Sequence, residues 1–269
     1  MKKKILTAGL LTIMLIITSC DINDSYDNDY TPPAAPSGIQ VLNGDKRVDI
    51  YWIKNRESDV AGYNVYYNYT YEGKYTLIGS TSGTHFADVY AENGVKYYYA
   101  VAAYDYNGNE SELSYDVIYS TPRPEGFNHA IFDYRRFPNK SGFTFNDFTT
   151  VPYDDNATDF FFEIYQGTPY LVVYDDTDIQ DMGLTNDIYD IPYAPVTGWN
   201  PNKEEIAEIG HTYVIWTYDN HFAKIRIKNI TSDRVVFDWA FQLVSGEYQL
   251  KPVIKGKGIR ELNRVKLAR

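Results

Sequence analysis

The stretch NGVKYYYAVAAYD, residues 93–105, decides the fold of the first half of the chain. Its opening Asn93-Gly94 is a turn signal, and the tyrosines and valines that follow favour a half-buried strand. Asn107-Gly108 then supplies a second turn signal. The stretch therefore predicts one long β-strand between two tight turns.

Six more short strands accompany this one between residues 37 and 122. In RVDIYW at 47–52, Val48, Ile50 and Trp52 face one way, and the residues between them face the other. The other runs are Ile39–Leu42, AGYNVYYNYT at 61–70, KYTLIGS at 74–80, THFADV at 84–89 and LSYDVIYS at 113–120. Short alternating runs at intervals of about 8–12 residues predict an all-β sandwich.

Residues 37–122 resemble a fibronectin type III domain. Trp52 stands at the place of the family's core tryptophan, and Tyr97 at that of the tyrosine whose hydroxyl ties down a corner. DYNGNES, Asp105–Ser111, resembles the loop that follows this strand in many bacterial copies. The resemblance implies a spacer or a protein-contact module without catalysis. The family's Arg-Gly-Asp tripeptide is absent, so its adhesive role is not implied.

The tyrosines of the third and fourth runs allow two interpretations. The chain has 27 tyrosines, and five of them cluster here: Tyr66, Tyr67, Tyr69, Tyr71 and Tyr75. Half-buried packing explains them best, because aromatic side chains suit a pleated surface. A sugar-stacking surface is the alternative, and it requires that exposed rings form a contiguous patch.

Residues 123–254 predict a second, antiparallel β-rich domain with one short helix, after a linker at Arg123–Gly126. Its strands are GFTFN at 142–146, TDFFFEIY at 158–165, PYLVVY at 169–174, TYVIWTY at 212–218, FAKIRIKNI at 222–230 and RVVFDWAFQLV at 234–244. In the last two strands, alternate residues should point inward: Ala223, Ile225, Ile227, Val235, Phe237, Trp239 and Phe241. The sequence 219–221 should form the hairpin turn between TYVIWTY and FAKIRIKNI.

Two further features of this domain concern local structure. WNPNKEEIAEIG predicts the helix, with Asn200 as its cap, Pro201 at its first position and Gly210 at its end. Lys224, Arg226 and Lys228 should point outward and pair with carboxylates across the sheet, or else grip an anion.

The second domain resembles, in part, the HmuY-type haem-binding lipoproteins of Bacteroidota, through GHTYVIWTYDNHFAKIRI, VVFDWAFQ and GFTFNDFTTVP. That family holds haem iron through two histidines, and the candidates here are His129, His211 and His221. His211 and His221 flank one predicted strand, which separates them by roughly 25–30 Å. They cannot share one iron, so no haem ligands and no cofactor are predicted.

The first residues predict a lipoprotein. Three lysines and an apolar run of about a dozen residues are typical of a secretory signal peptide at 1–19. Ile17-Thr18-Ser19-Cys20 resembles a lipobox, which implies lipid attachment at Cys20 and explains why the chain's one cysteine has no partner. An acidic, proline-rich tether follows at 20–36, and a basic tail lies at 255–269.

The lipid anchor implies a membrane partner and a place in the bacterial cell envelope. The acidic residues after Cys20 resemble surface-export signals, which favours the outer membrane. Asp21 directly after the cysteine would indicate inner-membrane retention in enterobacteria, so the membrane and its face stay open at this point.

The net charge and a search for catalytic motifs narrow the range of possible functions. A net charge of −11 and a pI near 4.8 argue against nucleic-acid binding. The chain has no HExxH motif and no glycine-rich phosphate loop, and GSTSG at 79–83 has Thr81 where a nucleophile elbow needs serine. The acidic run Asp175, Asp176, Asp178 and Asp181 favours a solvated loop over a Ca²⁺ site, because its spacing does not match an EF-hand.

The sequence therefore predicts a non-catalytic, membrane-anchored protein that binds or scaffolds other molecules, with protein or glycan partners. A haem-binding lipoprotein and an accessory protein for glycan capture are the alternatives.

Overall fold

The computed structural model describes residues 29–116 and 118–250 and the backbone of residues 264 and 265. Cys20, the signal peptide, most of the tether and nearly all of the basic tail lie outside the described residues. In the described ranges, no helix has the length and apolar character needed to cross a bilayer. The fold is all-β, as predicted, and its sheets are antiparallel apart from one two-residue parallel pairing.

The first domain is a sandwich of two sheets, with strand orders β1-β2-β6 and β5-β3-β7-β8. Its strands are β1 (Ser37–Gly44), β2 (Arg47–Ile53), β3 (Val60–Asn68), β4 (Gly73–Lys74), β5 (Thr76–Thr81), β6 (His85–Asp88), β7 (Tyr97–Asp105) and β8 (Ile118–Ser120). All seven predicted strands are present, and their arrangement confirms the fibronectin type III sandwich.

The core of this sandwich contains the residues that its sequence pattern marked. Trp52 is buried and meets the ring of Tyr63 edge-on, with 5.2 Å between ring centroids. The Tyr97 hydroxyl accepts a hydrogen bond of 3.0 Å from the Glu92 N–H. Because that bond ties the turn at 92–95 to the start of β7, Tyr97 has the corner role that the family resemblance implied.

The second domain is also a sandwich, with strand orders β11-β10-β12-β13-β15 and β14-β16-β17-β18-β9. Its strands are β9 (Glu125–Phe132), β10 (Gly142–Thr144), β11 (Thr149–Val151), β12 (Phe160–Tyr165), β13 (Thr168–Val172), β14 (Asp178–Leu184), β15 (Glu204–Ile206), β16 (His211–Trp216), β17 (Phe222–Ile230) and β18 (Arg234–Phe241). A 3₁₀ turn at Pro138–Lys140 follows β9, and β19 (Arg264–Val265) pairs with β4. One aromatic core joins both sheets.

The alternation in β17 and β18 is confirmed. All seven residues predicted to point inward lie in the aromatic core. The opposite face differs from the prediction at Lys224, which is fully buried and donates a 3.0 Å hydrogen bond to the Ile191 carbonyl. The chain around Ala194 and Leu250 folds over that part of the sheet and buries it. Lys228 stays exposed and meets Asp238 at 3.5 Å, a cross-strand pairing of the predicted kind.

The predicted helix is wrong. Residues 204–206 form β15, which pairs with β13 at the edge of its sheet. Asn200 does cap a structure, but it is a turn, in which its Oδ1 accepts a 2.9 Å hydrogen bond from the Asn202 N–H. Lys203 then has a φ of 60°, which an α-helix does not allow. The same residue types favour a helix N-cap and an Asx turn. Here residues 204–206 pair with the edge of β13 as a strand, so Asn200 forms the turn and not a helix cap.

Arg123–Gly126 is a packed junction and not an exposed linker, because Glu125 and Gly126 already belong to β9. The Arg123 side chain is fully buried and lies 3.2 Å from a Glu125 carboxylate oxygen. It also donates a 3.1 Å hydrogen bond to the Leu250 carbonyl, and the Tyr189 hydroxyl donates to Glu125 at 2.9 Å. These contacts fix Arg123, which directly follows the first sandwich, to the second one.

The first sandwich completes this junction with backbone contacts. The Arg123 N–H donates to the Gly44 carbonyl at 3.2 Å, and the Gly94 N–H donates to the Pro122 carbonyl at 2.8 Å. Burial lowers the pKa of Arg123 and raises that of Glu125, and each charge opposes the shift of the other. Arg123 is therefore bonded to the first sandwich through its backbone and to the second through its side chain.

Candidate binding site

Three loops meet at one end of the second sandwich and enclose a cavity of about 560 Å³, which we call the acidic hollow. The loops are 152–158, 173–177 and the hairpin turn 217–221. Tyr218, at the tip of the hairpin, is 68% exposed. The other lining residues are Asp154, Asp155, Asn156, Thr158, Val173, Tyr174, Asp175, Asp176 and Thr177.

The hairpin turn presents Tyr218 because its neighbours close the turn. The Thr217 hydroxyl donates to Asp219 at 2.5 Å, and the Thr217 N–H donates to the His221 carbonyl at 2.9 Å. Asn220 has a φ of 66°, and its side-chain oxygen accepts a 3.0 Å hydrogen bond from the Trp216 indole. The predicted turn is confirmed, and it holds the Tyr218 ring out from the sandwich.

The walls of the acidic hollow are ordered by local hydrogen bonds. The Thr158 hydroxyl donates to the Pro152 carbonyl at 2.7 Å, and the Ala157 N–H donates to Asp155 at 2.9 Å. The Tyr174 hydroxyl donates to the Tyr153 carbonyl across the two loops. The cavity is therefore preformed, and its volume falls in the range of roughly 300–1,000 Å³ that is usual for ligand sites.

The predicted acidic run does not act as one unit. Asp175 and Asp176 face the acidic hollow. Asp178 instead begins β14 and pairs with the Lys203 ammonium at 2.9 Å. Asp181 lies farther along β14 and meets the His211 Nδ1 at 2.9 Å. Two of the four carboxylates thus belong to the cavity, and the other two, which lie on β14, bond to side chains outside that strand.

A second, smaller cavity of about 230 Å³ shares Tyr218 with the first, and we call it the histidine hollow. Asp159 lies in its wall and is 5% exposed. Burial raises the pKa of Asp159 to about 6, although its carboxylate accepts a 2.6 Å hydrogen bond from the Phe145 N–H. Burial also acts to raise the pKa of Asp219, but hydrogen bonds from Thr217 and His221 outweigh it and lower that pKa.

The three candidate histidines lie in three different places. His211 and His221 are at opposite ends of β16, as the strand length predicted. His221 faces the histidine hollow and packs on Phe241, with 5.4 Å between ring centroids. His129 is half-buried and bonds the Thr150 hydroxyl at 2.9 Å, and burial lowers its pKa. The three imidazoles therefore contact three different sets of residues.

The first domain has a cavity of about 310 Å³ near its corner, which we call the tyrosine cleft. Tyr67, Tyr69 and Tyr97 line it, with ring centroids 5.4–5.6 Å apart. Tyr69 is 58% exposed and Tyr90, at the rim, is 90% exposed. The sequence interpretation of the tyrosine cluster as packing is confirmed for Tyr66, Tyr71 and Tyr75, which are buried, but Tyr69 is open to solvent.

The DYNGNES loop lies at the other end of the first sandwich. Asn109 donates from its N–H and from its side-chain amide to Asp105, both at 2.8 Å, and from that amide to the Asp29 carbonyl at 2.7 Å. Carboxylate oxygens of Asp29, Asp59 and Asp105 come within 4.8 Å of one another there. The loop therefore pins the start of the described chain to the end of the sandwich that is farthest from Tyr97.

Comparison with known proteins gives partial matches. No family model matches the chain. It is 35% identical to an amylopullulanase of Thermoanaerobacterium saccharolyticum over 128 residues, 47% of this chain and 10% of that protein. It is 29% identical to an amylopullulanase of Thermoanaerobacterium thermosulfurigenes over 213 residues, 78% of this chain and 9% of that protein. The chain thus spans about a tenth of the length of these curated relatives.

Three solved structures are similar to parts of the chain. An Fn3-like protein from Clostridium thermocellum is 25% identical, over 37% of this chain and 100% of that one, with a TM-score of 0.29. A β-1,2-glucanase from Parabacteroides distasonis is 28% identical, over 34% of this chain and 14% of that one, with a TM-score of 0.30. A DUF4466 family protein from Parabacteroides merdae is 10% identical, over 78% of this chain and 99% of that one, with a TM-score of 0.40.

The sequence matches to amylopullulanases are consistent with an accessory, non-catalytic module. The sequence matches are to short segments of amylopullulanases, and the fold described above contains a fibronectin type III sandwich.

Proposed function

We propose that the protein is a non-catalytic accessory protein that captures glycan chains at the cell envelope. The acidic hollow is its principal binding site. The observation that carries the proposal is Tyr218, an aromatic ring 68% exposed at the mouth of a preformed cavity lined by carboxylates.

The chemistry of this cavity suits a sugar ring. One face of a pyranose is made of C–H groups, which pack on the bare face of an aromatic ring. The hydroxyls at the edge of the sugar need acceptors, and ionised carboxylates accept hydrogen bonds more strongly than neutral oxygens do. Tyr218 supplies the ring, and Asp154, Asp155, Asp175 and Asp176 supply the acceptors. The amylopullulanase segments similar to this chain support glycans as the ligand class.

The proposal is tested by affinity electrophoresis in gels that contain amylose, pullulan or β-1,2-glucan, the polymers named in the similar proteins. At least one polymer should retard the protein. Tyr218→Ala should remove most of that retardation, because the stacking surface is lost. Tyr106→Ala is the matched control, since Tyr106 is 77% exposed on the DYNGNES loop at the far end of the first domain. Equal mobility of both variants in every gel would contradict the assignment.

The anchor of the protein is a second part of the proposal. Lipid attachment at Cys20 would hold the chain on the outer membrane, with residues 20–36 as the tether. Cys20→Ala should shift the protein from the membrane fraction to the soluble fraction. Mass spectrometry of the N-terminal peptide should find acyl chains in the wild type alone. A soluble wild type whose N-terminal peptide carries no lipid would exclude the anchor.

A further inference from the structure

The tyrosine cleft, like the acidic hollow, combines exposed aromatic rings with carboxylates, although it lies in the other domain and its lining is more apolar. Exposed aromatic rings border it at Tyr69 and Tyr90. Two carboxylates, those of Asp88 and Glu92, lie in its wall. Asp88 is 8% exposed and is fixed by a 2.9 Å hydrogen bond from the Tyr99 hydroxyl and a 3.1 Å bond from the Tyr90 N–H. The cleft is therefore preformed, with stacking surfaces outside and a fixed acceptor inside.

The packed junction brings the rims of the two binding regions together. Leu243 lines the histidine hollow, which shares Tyr218 with the acidic hollow. The Gly94 backbone packs against Leu243 so closely that a Cβ at Gly94 would lie 3.5 Å from the Leu243 Cβ. Gly94 is two residues from Glu92 in the wall of the tyrosine cleft, a distance of at most about 7 Å along the chain. The domain contact therefore lies between the two sites.

The geometry points to one extended groove, in which a single glycan chain occupies the acidic hollow and the tyrosine cleft at once. This inference rests on the proposed function and names its ligand more closely, as a chain of several sugar units that crosses the domain junction. Tyr218 and Tyr90 are the stacking platforms at its two ends, and Leu243, which is 37% exposed, lines the histidine hollow and lies beside Gly94.

The packed junction between the domains should raise the affinity of such a groove for its ligand. Two sites joined by a mobile linker gain affinity only to the extent that the linker presents both at the right spacing. Here Arg123 is fully buried at the domain junction and pairs with Glu125, so the spacing is set before the ligand arrives. A rigid arrangement reduces the entropy lost on binding. The fibronectin type III domain thus contributes part of the binding surface in addition to acting as a spacer.

The length of the glycan chain is the variable that tests this inference. The full protein, Tyr90→Ala, Tyr218→Ala and the Tyr106→Ala control are titrated calorimetrically with a trisaccharide and with a longer oligosaccharide of the polymer that retards the wild type. The Tyr90 substitution keeps the backbone N–H that bonds Asp88, so the fold is retained. Tyr90→Ala should weaken binding of the long chain by about three- to tenfold, the usual contribution of one aromatic contact, and leave trisaccharide binding unchanged. Tyr218→Ala should weaken both.

The outcomes separate this inference from the proposed function. If Tyr90→Ala binds the long chain as well as the wild type does, whereas Tyr218→Ala does not, the groove is excluded and the acidic hollow stands alone. If Tyr90→Ala loses binding and Tyr218→Ala does not, the principal site is wrong and so is the groove. A wild type that binds none of the polymers overturns both.

Discussion

Replacing Arg123 by Met should lower the free energy of unfolding by about 3–5 kcal/mol, the usual cost of removing one partner from a buried ion pair. The Glu125 carboxylate, whose pKa burial already raises, would lose its counter-charge. The Leu250 carbonyl would lose the hydrogen bonds that the guanidinium donates to it. Because these contacts fix the junction residue Arg123 to the second sandwich, the two domains should also unfold less cooperatively. Urea unfolding followed by far-UV circular dichroism measures both effects.

Two further variants serve as comparisons for this prediction. Arg123→Met/Glu125→Leu should recover part of the lost stability, since no uncompensated charge then remains buried. Arg234→Met is the surface control, because Arg234 is exposed and lies 3.8 Å from the partly exposed Asp233, and such pairs contribute about 0–1 kcal/mol. If Arg123→Met and Arg234→Met unfold at the same urea concentration, the junction does not hold the domains together.

The stability of the second domain should fall as the pH rises from 4 to 7, and Asp159 should be the cause. Its pKa is about 6 in the folded protein and near 3.8 in the unfolded chain. Between these values the folded state binds more protons, so the free energy of unfolding decreases with pH. The stabilisation that the protonated Asp159 provides is complete below about pH 4 and is lost above pH 6. The shift corresponds to about 3 kcal/mol.

Asp159→Asn isolates this effect, because an amide keeps an oxygen for the Phe145 N–H and carries no charge. The variant should match the wild type near pH 4 and exceed its stability above pH 7 by up to about 3 kcal/mol. Asp154→Asn, a change at an exposed carboxylate of the same region, should follow the wild type at every pH. Parallel stability curves for the wild type and Asp159→Asn between pH 4 and 8 would show that Asp159 is not responsible.

The first domain could be predicted from sequence because its signals are local. Strands such as β2 alternate between buried and more exposed residues, and a turn signal such as Asn93-Gly94 separates one strand from the next. In the second domain, β17 and β18 could be predicted for the same reason. Each of these elements presents one apolar face to one core, so the pattern and the structure follow the same period.

Besides β15, where a helix was predicted, three strands of the second domain were missed because they lie at edges or depart from regular alternation. β9 is an edge strand and contains Asn128 at a φ of 56°, with a shift of register beside it. β14 is the opposite edge of the same sheet and has Asp178 and Asp181 paired with other side chains, which made it resemble an acidic loop. β11 has only three residues, too few for a period to be visible.

The site could not be predicted because tertiary structure assembles it. Asp154, Asp175 and Tyr218 come from three loops that are far apart in the sequence, and only the packing of the two sheets brings them to one cavity. The one usable signal was in TYDNH, where a large aromatic residue ends a predicted strand, directly before the predicted turn at 219–221. In the structure the strand ends at Trp216, so the Tyr218 ring covers no sheet face and is exposed to solvent. Lipidation of Cys20 stays a prediction from sequence.

Hydrogen exchange with and without the retarding glycan tests the central claim most directly, because it reports where the ligand lies along the whole chain. The account predicts slower exchange of amides in 217–221, 153–158 and 173–177, the loops of the acidic hollow. Amides of the DYNGNES loop should exchange at the same rate in both samples. If the protein binds the glycan but the amides of those three loops exchange at an unchanged rate, the result would contradict the account.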